Sequence, residues 1–420
     1  MNRPVFRWRL AAACALHTAL ALAAPALHAQ PTPPLGADLA GLLEHARRSN
    51  PEFGAMQREA DAAGQRVRPA GALPEPVLRV ELENIGNAEA RRENKYTLMQ
   101  PLPAWGKRGL REQAAAADAR QAQARAAAAW NEVAARIKSA YAQYYQAAGN
   151  ERLARELLDL MVRLEQIAQA RYAGGLVPQQ DAIRAQLEQT AMRSELIALE
   201  AEKAQLRARL NALLARGTSE PLAEPHALAP MPAPELLRTD ALRQRALESN
   251  PLLQAERARV EAAEKTRDLT WRNRYPDFSV GVSPIQMGSR VVSWGVMVEL
   301  NIPLQQGVRR SQESEAGAML AAARSRAEAT ANQITGDLAE QLAALQAARS
   351  TESLLRTHLL PQSELGLHSA LAAYENGKAD FATLLDAQRA IRKARQDLLK
   401  AQAEARQRLA EIERIVGEEL

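Results

Sequence analysis

The stretches RYAGGLVPQQDAIRAQ (171–186) and AYENGKADFATLLDAQ (373–388) decide how this chain is read. Each closes a long Ala- and Leu-rich run near a tyrosine, passes through glycine, and opens a second such run. Laid over one another, Tyr172 falls on Tyr374, Gly175 on Gly377 and Gln186 on Gln388. Nearly the same offset pairs Ser49-Asn50-Pro51 with Ser249-Asn250-Pro251, Pro76 with Pro276, and Pro101-Leu102 with Pro303-Leu304. Two Ala-rich helical stretches can look alike by composition. They do not align prolines, glycines and alternating runs together unless the chain is duplicated.

Working outward from the glycine turns, each half predicts two very long helices joined as a hairpin. The first helix of each pair runs from about Lys107 to Tyr172 and from about Arg309 to Tyr374. At 1.5 Å per residue each would be about 100 Å long, deeper than any globular core. Leu153, Leu157, Leu160, Leu164 and Ile167 follow a 4-3-4-3 spacing, and Leu384, Ile391 and Leu398 recur every seven residues, as in a coiled-coil seam. Leu196, Leu199, Lys203, Leu206, Leu210 and Leu213 carry the rhythm along the returning helix of the first half.

Ahead of each hairpin come two runs that alternate with period two. Leu78, Val80 and Leu82 oppose Arg79, Glu81 and Glu83; Phe278, Val280 and Val282 oppose Ser279, Gly281 and Ser283. Val292, Trp294, Val296, Val298 and Leu300 oppose Ser293, Gly295, Met297 and Glu299, with a weaker run at Tyr96 and Leu98. One apolar and one polar face suit a wall between lipid and water, and equally a half-buried sheet in a soluble domain. The N-terminus favours the membrane. Arg3, Arg7 and Arg9 precede an Ala/Leu-rich stretch that ends in small residues at Ala29, the pattern of an export signal. No later stretch offers 18 consecutive apolar residues, so any membrane part is expected to be strands.

The division expected is a signal peptide at 1–29 and a first repeat at 30–220, with strands near 76–83 and 95–102 and a helical hairpin near 107–215. A linker at 221–234 follows, where Pro221, Pro225, Pro230, Pro232 and Pro234 block helix. The second repeat spans 235–420, with strands near 276–283 and 291–302 and a hairpin near 309–416. Four strands cannot close a barrel, and open edges in lipid leave backbone groups unpaired, so the chain must associate; three copies would supply twelve strands.

The formal charge of +5 comes largely from the signal arginines, so the rest of the chain lacks the basic excess of a nucleic-acid binder. The lone cysteine, Cys14, lies inside the signal close behind Arg9, which argues against both disulfides and lipidation. No HExxH, GxSxG, P-loop or paired-cysteine motif occurs, and His45, His226, His358 and His368 are scattered. Neither enzyme chemistry nor a cofactor nor a metal site is expected.

The two tip motifs, the Asn-Pro after the first helix of each half, and QPLPAWGKR (100–108) together resemble the TolC family of outer-membrane efflux channels over the whole chain beyond the signal. The resemblance implies a mainly α protein with a transmembrane β-barrel part, a trimer of twelve strands on a tunnel of twelve helices. Its apolar strand residues, Leu78, Val80, Leu82, Phe278, Val280, Val282, Trp294, Val296 and Val298, would face lipid. It implies a passive exit duct that takes solutes from an inner-membrane pump through a periplasmic adaptor docking at Gly174, Gly175, Asn376 and Gly377. It implies also a periplasmic gate in which Asp181 hydrogen-bonds Tyr374 and Asp386 rings the pore. The family's basic residue two positions after the second-tip glycine is here Ala379, with Lys378 beside it, and Asp380 stands in for a second ring acid where the chain has Thr383. The plainer reading, that Asp181 and Asp386 only complement their helix N-termini, stays open. QPLPAWGKR and Glu83-Asn84 look more like the heavy-metal branch; drug or other small-molecule efflux and type I secretion are the alternatives. A periplasmic adaptor would show one hairpin beside lipoyl-like domains, and a structural coiled coil would lack the strand pairs.

Overall fold

The computed structural model describes residues 35–85, 91–103 and 105–420; the expected signal at 1–29 lies outside them. Each half opens with two short helices, α1 (Leu39–Ser49) and α2 (Pro51–Gly71), then α5 (Thr239–Ser249) and α6 (Pro251–Arg272). Strands β1 (Val77–Glu83) and β2 (Glu93–Leu102) precede α3 (Lys107–Ala173) and α4 (Gln179–Leu213). Strands β3 (Asp277–Met287) and β4 (Arg290–Asn301) precede α7 (Gln306–Leu354), α8 (Leu360–Glu375) and α9 (Phe381–Val416). Among the described residues no helix is long and apolar enough to cross a membrane.

The strands form one antiparallel sheet in chain order. Leu78 faces Leu98, Leu98 faces Val282 and Val282 faces Val296, so one apolar row crosses all four strands. That row is exposed, as are Val80, Leu82, Phe278, Val280, Trp294 and Val298. The opposite face is polar and partly enclosed: Thr97 Oγ1 and Ser283 Oγ lie 2.8 Å apart in a buried hydrogen bond. β3 runs four residues beyond the expected end at Ser283. Pro284, the first residue beyond that end, lacks an N–H to donate to a ladder. Pro284 nevertheless stays paired with Trp294 of β4, and the β2–β3 ladder is interrupted at that position, so the missing donor is not required.

The Ser-Asn-Pro motifs explain how short and long helices combine. Asn50 Oδ1 accepts the Phe53 N–H at 3.0 Å, capping α2, while its Nδ2 donates to the Leu213 carbonyl at 2.7 Å, at the end of α4. Asn250 does the same, accepting from Leu253 N–H at 3.0 Å and donating to the Ile415 carbonyl of α9 at 2.7 Å. Each amide thus satisfies an orphan donor of one helix and an orphan carbonyl of another. α2 is stacked end to end on α4, and α6 on α9, and both columns lie against α3.

The seams differ in detail from the heptad reading. Leu153, Leu157 and Leu164 are buried as expected, but Met161 and Ala168 take the interior and Leu160 and Ile167 are only partly buried. A nearly straight helix drifts away from a 3.5 repeat, which moves the apolar stripe onto those positions. Lys203, at a seam position of α4, is matched by the buried carboxylate of Glu151 on α3 and by Glu224 of the interrepeat stretch. The single helix expected from Arg309 to Tyr374 is in fact broken. A wide π turn at Leu355–Leu359 joins α7 to α8 just before Pro361. Proline cannot bond to the carbonyl four residues back and its ring would clash there; the wider turn makes room. The equivalent position of the first half is Asp159, and α3 is unbroken across its 67 residues.

Candidate functional site

The candidate site is the far end of the two hairpins. Both turns are built alike. Gly175 donates to the Tyr172 carbonyl and Leu176 to the Arg171 carbonyl, each at 2.9 Å; Gly377 donates to Tyr374 at 3.0 Å and Lys378 to Ala373 at 2.8 Å. This crossed pair of bonds requires a left-handed residue one past the helix cap. Gly175 (φ +70) and Gly377 (φ +71) fill that place. Gly174 and Asn376, the residues before them, are the helix caps, at φ −82 and −87. All four are exposed, and beside them Leu176, which sequence reasoning did not single out, is 70% exposed.

Behind the turns lies an apolar cluster drawn from both hairpins, including Leu157, Met161, Leu164, Ala185, Leu384 and Leu385. Tyr374 is 1% exposed and meets Phe381 edge-on, ring centres 5.4 Å apart. Asp181, in the first turn of α4, is 7% exposed. The structure therefore brings Asp181 and Tyr374 into one cluster, but it does not form the hydrogen bond expected between them. The Tyr374 hydroxyl is buried and has no hydrogen-bond partner. Burial pushes both groups' pKa values up. For Asp181, Asp380 adds to the rise and Arg184 and Arg171 oppose it; for Tyr374, Asp181 adds and Arg171 opposes.

The group that joins the hairpins here is Arg171, at the end of α3. Its guanidinium lies 5.0 Å from the Tyr374 ring centre, and its Nη1 donates to the carbonyls of Tyr374 and Glu375, the latter at 3.3 Å. Those carbonyls close α8, where a cation complements the helix dipole. Further along, Arg389 of α9 pairs with Glu188 of α4, and Glu195 of α4 accepts from Arg392 at 3.1 Å and Gln396 at 2.9 Å. The second half has Ala373 where the first has Arg171. That asymmetry between repeats was the available signal for it.

The remaining expected gate acids lie apart from this cluster. Asp386 is exposed on α9, 3.9 Å from Arg389. Asp380 caps α9, its Oδ1 accepting from Thr383 N–H at 2.9 Å and Thr383 Oγ1 at 2.6 Å, bonds that hold its pKa below the ordinary range. The segment QPLPAWGKR does structural work at the other end of the helices. Lys107 is 2% exposed and donates to the Tyr275 carbonyl at 2.8 Å and to Asp277 at 2.9 Å, while Trp105 stacks on Tyr275. Among the described residues no group of three or more His, Cys, Asp or Glu side chains is placed to hold a metal ion.

The sequence pattern of the family described as Outer membrane efflux protein matches residues 42–216 and 242–418, one match per repeat. The cobalt-zinc-cadmium resistance protein CzcC of Cupriavidus metallidurans is 27% identical over 387 residues, covering 90% of both chains. The solved outer membrane protein VceC from Vibrio cholerae superposes with a TM-score of 0.77 at 21% identity, over 91% of this chain and 96% of that one. CusC does so with a TM-score of 0.77 at 17% identity, over 90% and 92%.

Proposed function

The chain belongs to the outer membrane efflux protein family, and from that premise we propose that its cargo is a heavy-metal cation and that its hairpin tips form the gate. As a member it is a homotrimeric outer-membrane channel subunit with a periplasmic tunnel, serving a periplasmic adaptor and an inner-membrane pump. We read it as a conduit that catalyses no reaction. The observation that carries the cargo is the likeness to CzcC over nine-tenths of both chains. Deleting the gene should sensitise the host to cobalt, zinc or cadmium and raise its cell-associated metal, with both restored by the intact gene. Sensitivity to organic drugs alone would instead favour the drug-efflux reading.

At the gate, Arg171 is the clamp. It fixes the end of α8 to the end of α3 through two carbonyls and a ring, with Glu188–Arg389 and Glu195–Arg392 as supporting ties. Opening swings the second hairpin away, and the adaptor that triggers it docks on Gly174, Gly175, Asn376 and Gly377, with Leu176 as an apolar contact. Asp386, repeated threefold, supplies an acidic ring whose fields add for an approaching cation. Asp380, held at its helix cap, contributes at the edge of that ring.

A further inference from the structure

Midway along the helices, where the interrepeat stretch crosses α7 and α9, lies an open cleft of about 650 Å³. His226 borders it from the interrepeat side, Arg349 and Glu352 from α7, Arg356 and Thr357 from the π turn, and Arg406 from α9. Three guanidiniums thus meet one carboxylate. That carboxylate is taken, since Glu352 pairs with Arg356 at 2.6 Å. Arg349 and Arg406 have no ion pair and no side-chain hydrogen bond among the described residues. Like charges gathered in a part-buried cleft oppose each other and their own desolvation. Burial pushes the Arg406 guanidinium down; Glu352 and Glu413 oppose that shift and Arg349 adds to it. The π turn places Arg356 and Thr357 at the rim, and such turns recur at functional sites.

We propose that this cleft binds a small polyvalent anion through its carboxylate or phosphate oxygens, with Arg349 and Arg406 as the paired donors. Guanidinium forks match both groups bidentately, and the Thr357 hydroxyl at the rim adds a donor. The site lies on the body of the tunnel, remote from the tips, and does not depend on the identity of the cargo.

The test is titration calorimetry of the detergent-solubilised trimer with citrate and with pyrophosphate. Wild type should bind at least one saturably, citrate if the site prefers carboxylates and pyrophosphate if it prefers phosphates. Arg349→Gln and Arg406→Gln should each weaken binding at least tenfold. Arg406→Lys, which keeps the charge, should retain more of it than Arg406→Gln. Arg326→Gln, at an exposed arginine of α7 away from the cleft, should leave it unchanged. Absence of saturable binding to wild type overturns the proposal, as does equal weakening by Arg326→Gln. If wild type binds neither anion and the Gln variants dissociate the trimer, the proposal also fails, and the arginines serve a neighbouring protomer's carboxylate.

Discussion

Asn50 and Asn250 each make a contact that a helix cap alone does not require. The side-chain oxygen starts one helix, and the amide nitrogen closes another more than 160 residues away in sequence. Replacing either with Ala should cost about 1–2 kcal/mol for the lost cap, and leaves the Leu213 or Ile415 carbonyl without its donor. Asp should recover the cap but not the second bond. The check is the temperature at which the purified trimer loses its native gel mobility, expected in the order wild type, Asn→Asp, Asn→Ala. The first half of this was legible in the sequence, since Asn before Pro marks a helix start. The second was not, because no local pattern says which helix end sits above the asparagine. Arg171 shows the same limit: it stands inside the motif that decides the fold, yet its partners are carbonyls of the other repeat. At Asp181 the raised pKa gives a sign. In the proposed gate, the closed tip holds this proton to higher pH than an opened, hydrated tip, so its contribution to closure is complete below the ordinary carboxylate range. It fades as pH rises through the raised value. Wild-type conductance in planar bilayers should fall on acidification into that range. Asp181→Asn should flatten the profile at the low-conductance end, with Arg171, Arg184, Asp380 and Tyr374 as its neighbours unchanged.

Strands and helices were readable to different depths. Period-two alternation placed the apolar residues of β1, β3 and β4 on one face, and in the structure those residues are exposed, with the opposite face buried at Gly281 and Ser283 of β3. Val296→Lys puts a charge where lipid is expected, at a cost of about 2–4 kcal/mol near the midplane. Ser279→Lys puts it on the opposite face, beside Glu299 of β4. Trimer yield in the outer membrane should drop for the first and hold for the second; equal yields would argue for a soluble sheet. Proline was the weaker guide. Pro284 lies inside β3 beyond the expected end at 283, and the strand continues through it because it sits at a gap in the β2–β3 ladder. Pro361 was passed over inside a helical pattern and opened a π turn, because the helix absorbed its ring by widening.

At the scale of the molecule, one chain is a segment of wall with two open edges. Ile183, Leu187 and Ile197 of α4 are exposed on one, and Leu354, Leu359 and Leu365 around α8 on the other. In the homotrimer α4 of one protomer should meet α8 of the next. The duplicated plan and the need for several copies were visible in the sequence, whereas the pairing of edges depends on how the columns stack. Cys14 lies in the expected signal, so a Leu187→Cys, Leu365→Cys variant of the exported chain would carry only the introduced thiols. Mild oxidation should yield dimers and trimers on non-reducing gels, and neither single variant should.

At the tips of the same wall, the central claim is the proposed clamp, in which the Arg171 guanidinium ties the end of α8 to the end of α3 and the Glu188–Arg389 and Glu195–Arg392 pairs support it. Single-channel conductance of the Arg171→Ala trimer in planar bilayers tests it most directly. Loss of the clamp should raise conductance several-fold at neutral pH, further with Glu188→Ala added, while Arg171→Lys should fall between. Conductance equal to wild type in both the single and the double variant would contradict it.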